Sequence, residues 1–262
     1  MDRRNTVFKI INFYDNPNIE IKEEKGPFKV LEYQKNLSVD KNFAMSEYFS
    51  SKMQIRKRQL SCDLSISPVT SQTGAMQWMV GDVELTSGIK GIGDFFSKSI
   101  KGSVTKESAV KPEYRGSGRV ILEPTYKHII LIDLAEWNNS IVLEDGYFLA
   151  CTSNLKQKIK TRTNLSSSLM GNEGIFNLKL EGEGILALES PIAKDDLIEI
   201  ELENDQIKID GSYAIAWSDS LDFSVKKASK SLVSSAMTEE GFVNVYTGSG
   251  KILLAPLDYK EK

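Results

Sequence analysis

The chain has 262 residues, and its 33 Lys plus Arg against 36 Asp plus Glu leave a formal charge of −3. That balance excludes a globally basic nucleic-acid binder and leaves only local basic stripes to consider. Apolar residues at 40% and charged residues at 26% exclude a chain disordered along its whole length, and the length suffices to bury a core without disulfides or metals.

The first residues read MDRRNTVFKIINFYDNPN, and Lys9, Asn12 and Asp15 interrupt the apolar stretch. A secretory signal needs an unbroken apolar run of about 7–15 residues, so none is predicted. No window approaches the ~18 apolar residues of a membrane-spanning helix. Cys62 and Cys151 stand far apart, in no metal or redox spacing. They read as reduced thiols of a cytoplasmic protein, with no cofactor implied.

Residues 6–13 and 27–33 read as short strands, and 42–56 (NFAMSEYFSSKMQIR) as a helix with Asp40 or Asn42 as its cap. The run Arg56-Lys57-Arg58 is expected to be solvated. Residues 1–56 thus form a small α/β N-terminal extension. From about residue 57 the chain reads as nearly all β. Segment 88–104, GIKGIGDFFSKSIKGSV, interrupts that pattern. At helical spacing its Ile89, Ile92, Phe96 and Ile100 form an apolar stripe beside Phe95. It packs on the β body, lies in an oligomer interface, or meets a membrane surface through the flanking Lys90, Lys98 and Lys101.

An internal repeat is the strongest signal. YRGSGRVILEP begins at Tyr114, LEGEGILALES at Leu180 and YTGSGKILLAP at Tyr246. Their glycine pairs, Gly116/Gly118, Gly182/Gly184 and Gly248/Gly250, recur every 66 residues, with Leu122, Leu188 and Leu254 in register. Glycine before each apolar run suits a bulge or a close backbone approach, so all six are expected to be structural. IVLEDGYFLACTS (141–153) and IKIDGSYAIAWSD (207–219) repeat at the same period, whereas AMQWMVGDVELTS (75–87) matches poorly. The first unit is therefore degenerate or carries an insertion. Residues 128–134, 174–180 and 197–203 read as strands, the last alternating Ile198, Ile200 and Leu202 with Glu199, Glu201 and Glu203.

Signatures of catalysis are sparse. There is no G-x-S-x-G elbow, no complete phosphate loop and no H-E-x-x-H zinc pattern. The single histidine, His128, heads an apolar strand and reads as a structural or edge residue. Trp78, Trp137 and Trp217 read as core. Carboxylate pairs such as Glu181/Glu183 and Asp195/Asp196 read as solvated turn charges. One row stands out: Lys156, Lys158, Lys160 and Arg162 share one face of a strand, about 6.5–7 Å apart. It is a solvated face, a partner for the acidic row Glu199, Glu201 and Glu203 on a neighbouring strand or subunit, or a phosphate-binding comb.

The series GAMQWMVGDVEL, the Gly- and Phe-containing insertion, YFLACTSNLK, GEGILAL, SYAIAWSDSLDFSV and YTGSGKILLAP resembles the "altered inheritance of mitochondria, number twenty-four" family. The resemblance spans roughly 57–257 and fits the bacterial branch. It implies a fold like that of the tryptophan RNA-binding attenuation protein (TRAP-like), with three related units in a pseudo-threefold arrangement. It carries over no catalytic residues, and the attenuation protein's RNA-binding lysines match no motif here. The expectation is thus an all-β TRAP-like domain at 57–262 behind the 1–56 extension, assembled as a homo-oligomer. Its expected role is non-enzymatic: a cytoplasmic scaffold offering the basic strand 155–162 and the insertion 88–104 to a protein partner. The alternatives are an RNA-binding regulator, by analogy of fold, and a protein of the membrane surface.

Overall fold

The structure, a computed structural model, describes residues 8–86, 111–161, 176–210, 213–227 and 242–256. It is built of antiparallel β-sheet. The first sheet begins with β1 (Ile19–Lys25) and β2 (Phe28–Tyr33), and β2 pairs in turn with β3 (Arg58–Asp63). Residues 8–18 hold no strand, so the strand expected at 6–13 is absent from its described part. The N-terminal hairpin lies later, where the charged IEIKEEK hides an edge strand. The helix is α1 (Ala44–Lys52), and its N-cap is Phe43, with no side-chain bond. The Asp40 carboxylate instead accepts from the Asn42 N–H at 2.8 Å, one step outside the helix.

Three long hairpins follow, and in each the pairing of the two arms is interrupted midway at a G-x-G pair. In the first, β5 (Met76–Val80) and β6 (Val83–Thr86) run out, and β7 (Glu113–Gly116) and β8 (Arg119–Leu122) return. In the second, β11 (Phe148–Thr152) and β12 (Lys156–Thr161) run out, and β13 (Phe176–Glu181) and β14 (Ile185–Ser190) return. In the third, β16 (Ala214–Ser218) and β17 (Asp222–Lys227) run out, and the single strand β18 (Phe242–Leu254) returns. The connecting segments 87–110, 162–175 and 228–241 lie outside the described residues, and with them Phe95, Phe96 and Arg162.

The break sends the two halves of the first and second hairpins into different sheets. The base of the first, β5 with β8, completes the first sheet beside β3. Its outer half, β6 with β7, enters the second sheet and reaches β11 through β4 (Val69–Ser71). β14 and β9 (His128–Asp133) complete that sheet. The outer half of the second hairpin enters the third sheet and reaches β16 through β10 (Ser140–Leu143). β15 (Ile198–Asp210) closes the third sheet along β18.

Each base carries a bulge at one place. Phe148 and Ala150 face Leu188 and Ala187; Ala214 and Ala216 face Leu254 and Leu253; Met76 and Trp78 face Leu122 and Ile121. The strand of the first hairpin starts this pairing at Met76, where a strict 66-residue step from Phe148 would put position 82. AMQWMVGDVELTS matches poorly at 75–87 for that reason: the pairing is present and offset.

The first glycine of each pair takes a positive φ, and at Gly116 the space is closed as well. Gly116 adopts φ +123°, and a Cβ there would stand 2.0 Å from the Asp82 carbonyl oxygen. The same oxygen accepts from the Ser117 N–H at 3.0 Å, so the two arms touch as they change sheets.

The second glycines, Gly118, Gly184 and Gly250, are close-approach positions for two different reasons. At Gly118 the neighbour is backbone, as expected: a Cβ would stand 2.2 Å from the Val80 carbonyl oxygen. At Gly184 and Gly250 the close neighbours are side chains, and at Gly250 the ladder to β15 carries a bulge, the other form the expectation allowed. A Cβ at Gly184 would meet Thr152 Oγ1 at 2.2 Å, and one at Gly250 would meet Ser218 Cβ and Ser220 Oγ, each at 2.8 Å. The physical reason is a shared hydrogen bond. Thr152 Oγ1 accepts from the N–H of Ile185 at 3.2 Å, and Ser218 Oγ from the N–H of Lys251 at 2.9 Å. Each hydroxyl reaches the N–H just after the glycine; at Gly184 it occupies the room a Cβ would need, while at Gly250 Ser218 Cβ and Ser220 Oγ stand closer than Ser218 Oγ at 3.1 Å.

Two cores lie between the sheets. One joins Phe28, Leu60, Val120 and Leu122 of the first sheet to Val69, Leu131, Leu149 and Ala187 of the second. The other joins Ile130, Leu186 and Leu188 of the second to Ile141, Leu143, Ala216 and Leu253 of the third. The second sheet is thus buried on both faces, which is why 129–132 is an unbroken apolar run. A third cluster, Val142, Ile209, Trp217, Tyr246 and Ile252, covers the far face of the third sheet.

Candidate interaction surface

β12 places Lys156, Lys158 and Lys160 opposite Glu181, Lys179 and Asn177 of β13. Lys158 Nζ lies 2.5 Å from Glu181 Oε2, and Lys160 Nζ 2.9 Å from Asp219 Oδ1. Lys179 bridges the same two carboxylates. Hydrogen bonds from Lys158 and Lys179 hold the Glu181 carboxyl below its ordinary range. Burial would raise that of Asp219, but Lys179 and Lys160 outweigh it and the net direction is down. Glu181 is therefore an anchor within a charge network, and the expectation of a solvated turn charge is corrected.

Within one chain, the described part of the basic row does not meet the acidic one. Lys251 of β18 holds Glu199 at 2.9 Å and Glu201 at 3.1 Å. β12 and β15 stand at opposite ends of the third sheet, so geometry separates the two rows within one chain. Lys179→Gln should let the carboxyl titrations of Glu181 and Asp219, followed by NMR, rise toward ordinary values. Unchanged titrations would show that Lys158 and Lys160 suffice.

Arg58 is not solvated. It is 5% exposed, with its Nη2 2.8 Å from Oε2 of Glu32, itself 3% exposed. Arg56 Nη1 meets the other Glu32 oxygen at 3.1 Å. Arg58 also donates to the Gln54 carbonyl at 3.0 Å and to that of Arg56 at 3.2 Å. β2 and β3 bring Glu32 opposite Arg58, and sequence spacing gave no sign of it. His128 heads β9, an edge strand. Burial, then the Arg58 charge, lower its pKa, so it is neutral near neutral pH.

Trp137 and Trp217 are buried as expected, while Trp78 is half-buried under Phe13. Cys62 and Cys151 are free and buried, and burial pushes the Cys151 thiol up to about 12. Among the described residues, no group of three His, Cys, Asp or Glu could hold a metal ion, and no helix is long and apolar enough to cross a membrane.

Exposed apolar surface gathers around α1. Leu37, Phe43, Met45, Phe49 and Met53 are each exposed by 60% or more, and the helix buries no residue. A cleft of about 790 Å³ opens between α1 and the β1–β2 hairpin, lined by Tyr33, Gln34, Glu47, Tyr48 and Arg56 among others. The available signal was in 42–56, whose apolar residues fall on several helix faces where one stripe would serve a core.

A family model for mitochondrial biogenesis AIM24 matches residues 49–257. The chain belongs to that family. The AIM24 match covers the three hairpins and starts within α1, so β1 and β2 precede it. An uncharacterised protein of Streptococcus pyogenes serotype M6 is 28% identical over 198 residues, 72% of this AIM24 chain and 77% of its own length. The crystal structure of protein SPYM3_0169 from Streptococcus pyogenes is 25% identical and superposes with a TM-score of 0.55, covering 79% of this chain and 90% of that one.

Proposed function

We propose that this AIM24-family chain is a non-enzymatic binding and scaffold protein of the cytoplasm, working as a homo-oligomer. Its body is read as three related TRAP-like units, one per hairpin. The shared bulge opposite Leu122, Leu188 and Leu254 supports that reading. The observation that carries the binding role is α1. A helix of 9 residues that buries none of them gains little from its own fold. Isolated helices below about 12–15 residues are marginal in water. Clustered exposed apolar side chains of this kind mark an interaction surface. The RNA-binding alternative draws less support, because Lys158 and Lys160 already face carboxylates.

Native mass spectrometry of the protein from its own host tests both parts. The expected spectrum shows an integer multiple of the 29.3 kDa chain carrying a bound partner. Met45→Ser with Phe49→Ser should strip the partner while leaving the unfolding midpoint unchanged, since neither side chain is buried. A partner retained by that variant would remove α1 from the reading.

A further inference from the structure

Successive hairpins are joined by one rule. The strand flanking the outer half of one hairpin pairs with the base of the next. β4 does so with Thr70 opposite Cys151, flanked by Val69–Thr152 and Ser71–Ala150. β10 does so with Val142 opposite Trp217, flanked by Ile141–Ser218 and Leu143–Ala216. The flanking strands correspond residue by residue, because Val69 faces Tyr114, Ile141 faces Leu180 and Ile207 faces Tyr246. Tyr114, Leu180 and Tyr246 stand at the 66-residue period. The second half of β15 is therefore the third flanking strand, with Lys208 in the place of Thr70 and Val142.

The bases correspond in the same way. Cys151 faces Leu186, Trp217 faces Ile252 and Met79 faces Val120. Met79 therefore holds the place of Cys151 and Trp217. Yet β15 ends the third sheet and β5 ends the first, and neither has another strand partner among the described residues. One flanking strand lacks a base, one base lacks a flanking strand, and the two are complementary.

We propose that this pair of edges is an interface between two copies of the chain. Residues 207–209 of one copy pair antiparallel with 78–80 of the next: Ile207 opposite Val80, Lys208 opposite Met79 and Ile209 opposite Trp78. This deepens the homo-oligomer reading and rests on it. A second copy is the occupant because closure within one chain would stack the third sheet on the outer face of the first. In the internal junctions the matching residues, Ala187 and Leu253, are buried against the preceding sheet. In the first sheet that face is already covered. Phe13 packs edge-on against Trp78 at 5.5 Å, and Tyr14 shares a 2.5 Å hydrogen bond with Ser61. Pairing at an edge leaves that cover in place, and main-chain bonds supply the affinity. Met79 is 44% exposed and Lys208 is exposed, so both are accessible. The contact joins two different edges, so it is head-to-tail and closes as a ring or continues as a filament.

Directly opposed residues have Cβ atoms about 4.5–5.5 Å apart, close to disulfide range. The test mixes full-length Lys208→Cys protein with full-length Met79→Cys protein under mild oxidation. Cys62 and Cys151 are buried with raised thiol pKa values and stay silent. The expected product is a disulfide-linked dimer with one chain of each kind, while Glu203→Cys mixed with Met79→Cys gives none. Oligomers by light scattering without the 208–79 bridge would overturn this pairing and leave the homo-oligomer reading standing. A monomer at every concentration would overturn both. A bridge formed only within single chains of a variant carrying both Lys208→Cys and Met79→Cys would overturn the two-copy assignment.

Discussion

Gly116→Ala should destabilise the protein far more than Gly182→Ala or Gly248→Ala, although all three change one position of the repeat. The backbone is alike in each, with φ of +123°, +119° and +125°. An L side chain held there costs about 1–3 kcal/mol in strain. The surroundings differ. At Gly182 and Gly248 the nearest atom to a new Cβ is 3.5 Å away, an ordinary contact. At Gly116 it is the Asp82 carbonyl oxygen at 2.0 Å, a backbone atom that cannot swing aside. Relieving such overlap costs a further ~1–3 kcal/mol or more. Urea unfolding of the three variants reads the difference directly. Equal midpoints would sink the claim that the first break is set by close approach of the two arms. Against a total stability of about 5–15 kcal/mol, the Gly116 variant is the one expected to lose soluble protein.

Removing one member of the buried Glu32–Arg58 pair is the second large effect. Glu32→Ala should cost about 3–5 kcal/mol, because it strands a guanidinium in the interior. The pH dependence has a definite sign. Burial alone would raise the Glu32 pKa, but the Arg58 charge and the bonds from Arg56 and Gln34 outweigh it, so the folded value lies below the ordinary 4.5. The pair therefore contributes fully above the unfolded pKa. Its contribution fades as pH falls below about 4.5 through the folded value. Unfolding free energy measured from pH 6 down to pH 2 should drop in the unaltered protein and drop less in Glu32→Ala. Parallel curves would show that the acid loss arises elsewhere, for instance at Asp219.

Arg58 and the Lys158–Lys160 row show why the charges misled. Arg56-Lys57-Arg58 is a short basic run, and such runs are normally wet. Arg58 is dry because β3 lies between β2 and β8, where its carboxylate partner comes from 26 positions earlier in the chain. Lys158 and Lys160 did share a face, as their alternation required. Their partners, Glu181 and Asp219, come from β13 and from the turn after β16. A period of two tells which side chains point together and nothing of what they meet.

Much of the architecture was legible in local pattern. Glycine pairs at a constant step, strand alternation, a helix within 42–56 and the apolar run 129–132 all follow from residue types and their spacing. They specify β-hairpins, breaks and buried strands because backbone freedom and side-chain alternation are local properties. Four things needed the folded chain. The first hairpin is offset at Met76, and the side chains of Thr152, Ser218 and Ser220 fill the space beside Gly184 and Gly250. The two charge rows lie at opposite ends of one sheet, and the edges of β5 and β15 match each other. Each depends on which strands become neighbours. In antiparallel sheets that is settled by register and burial between segments far apart in sequence, and no single segment carries it.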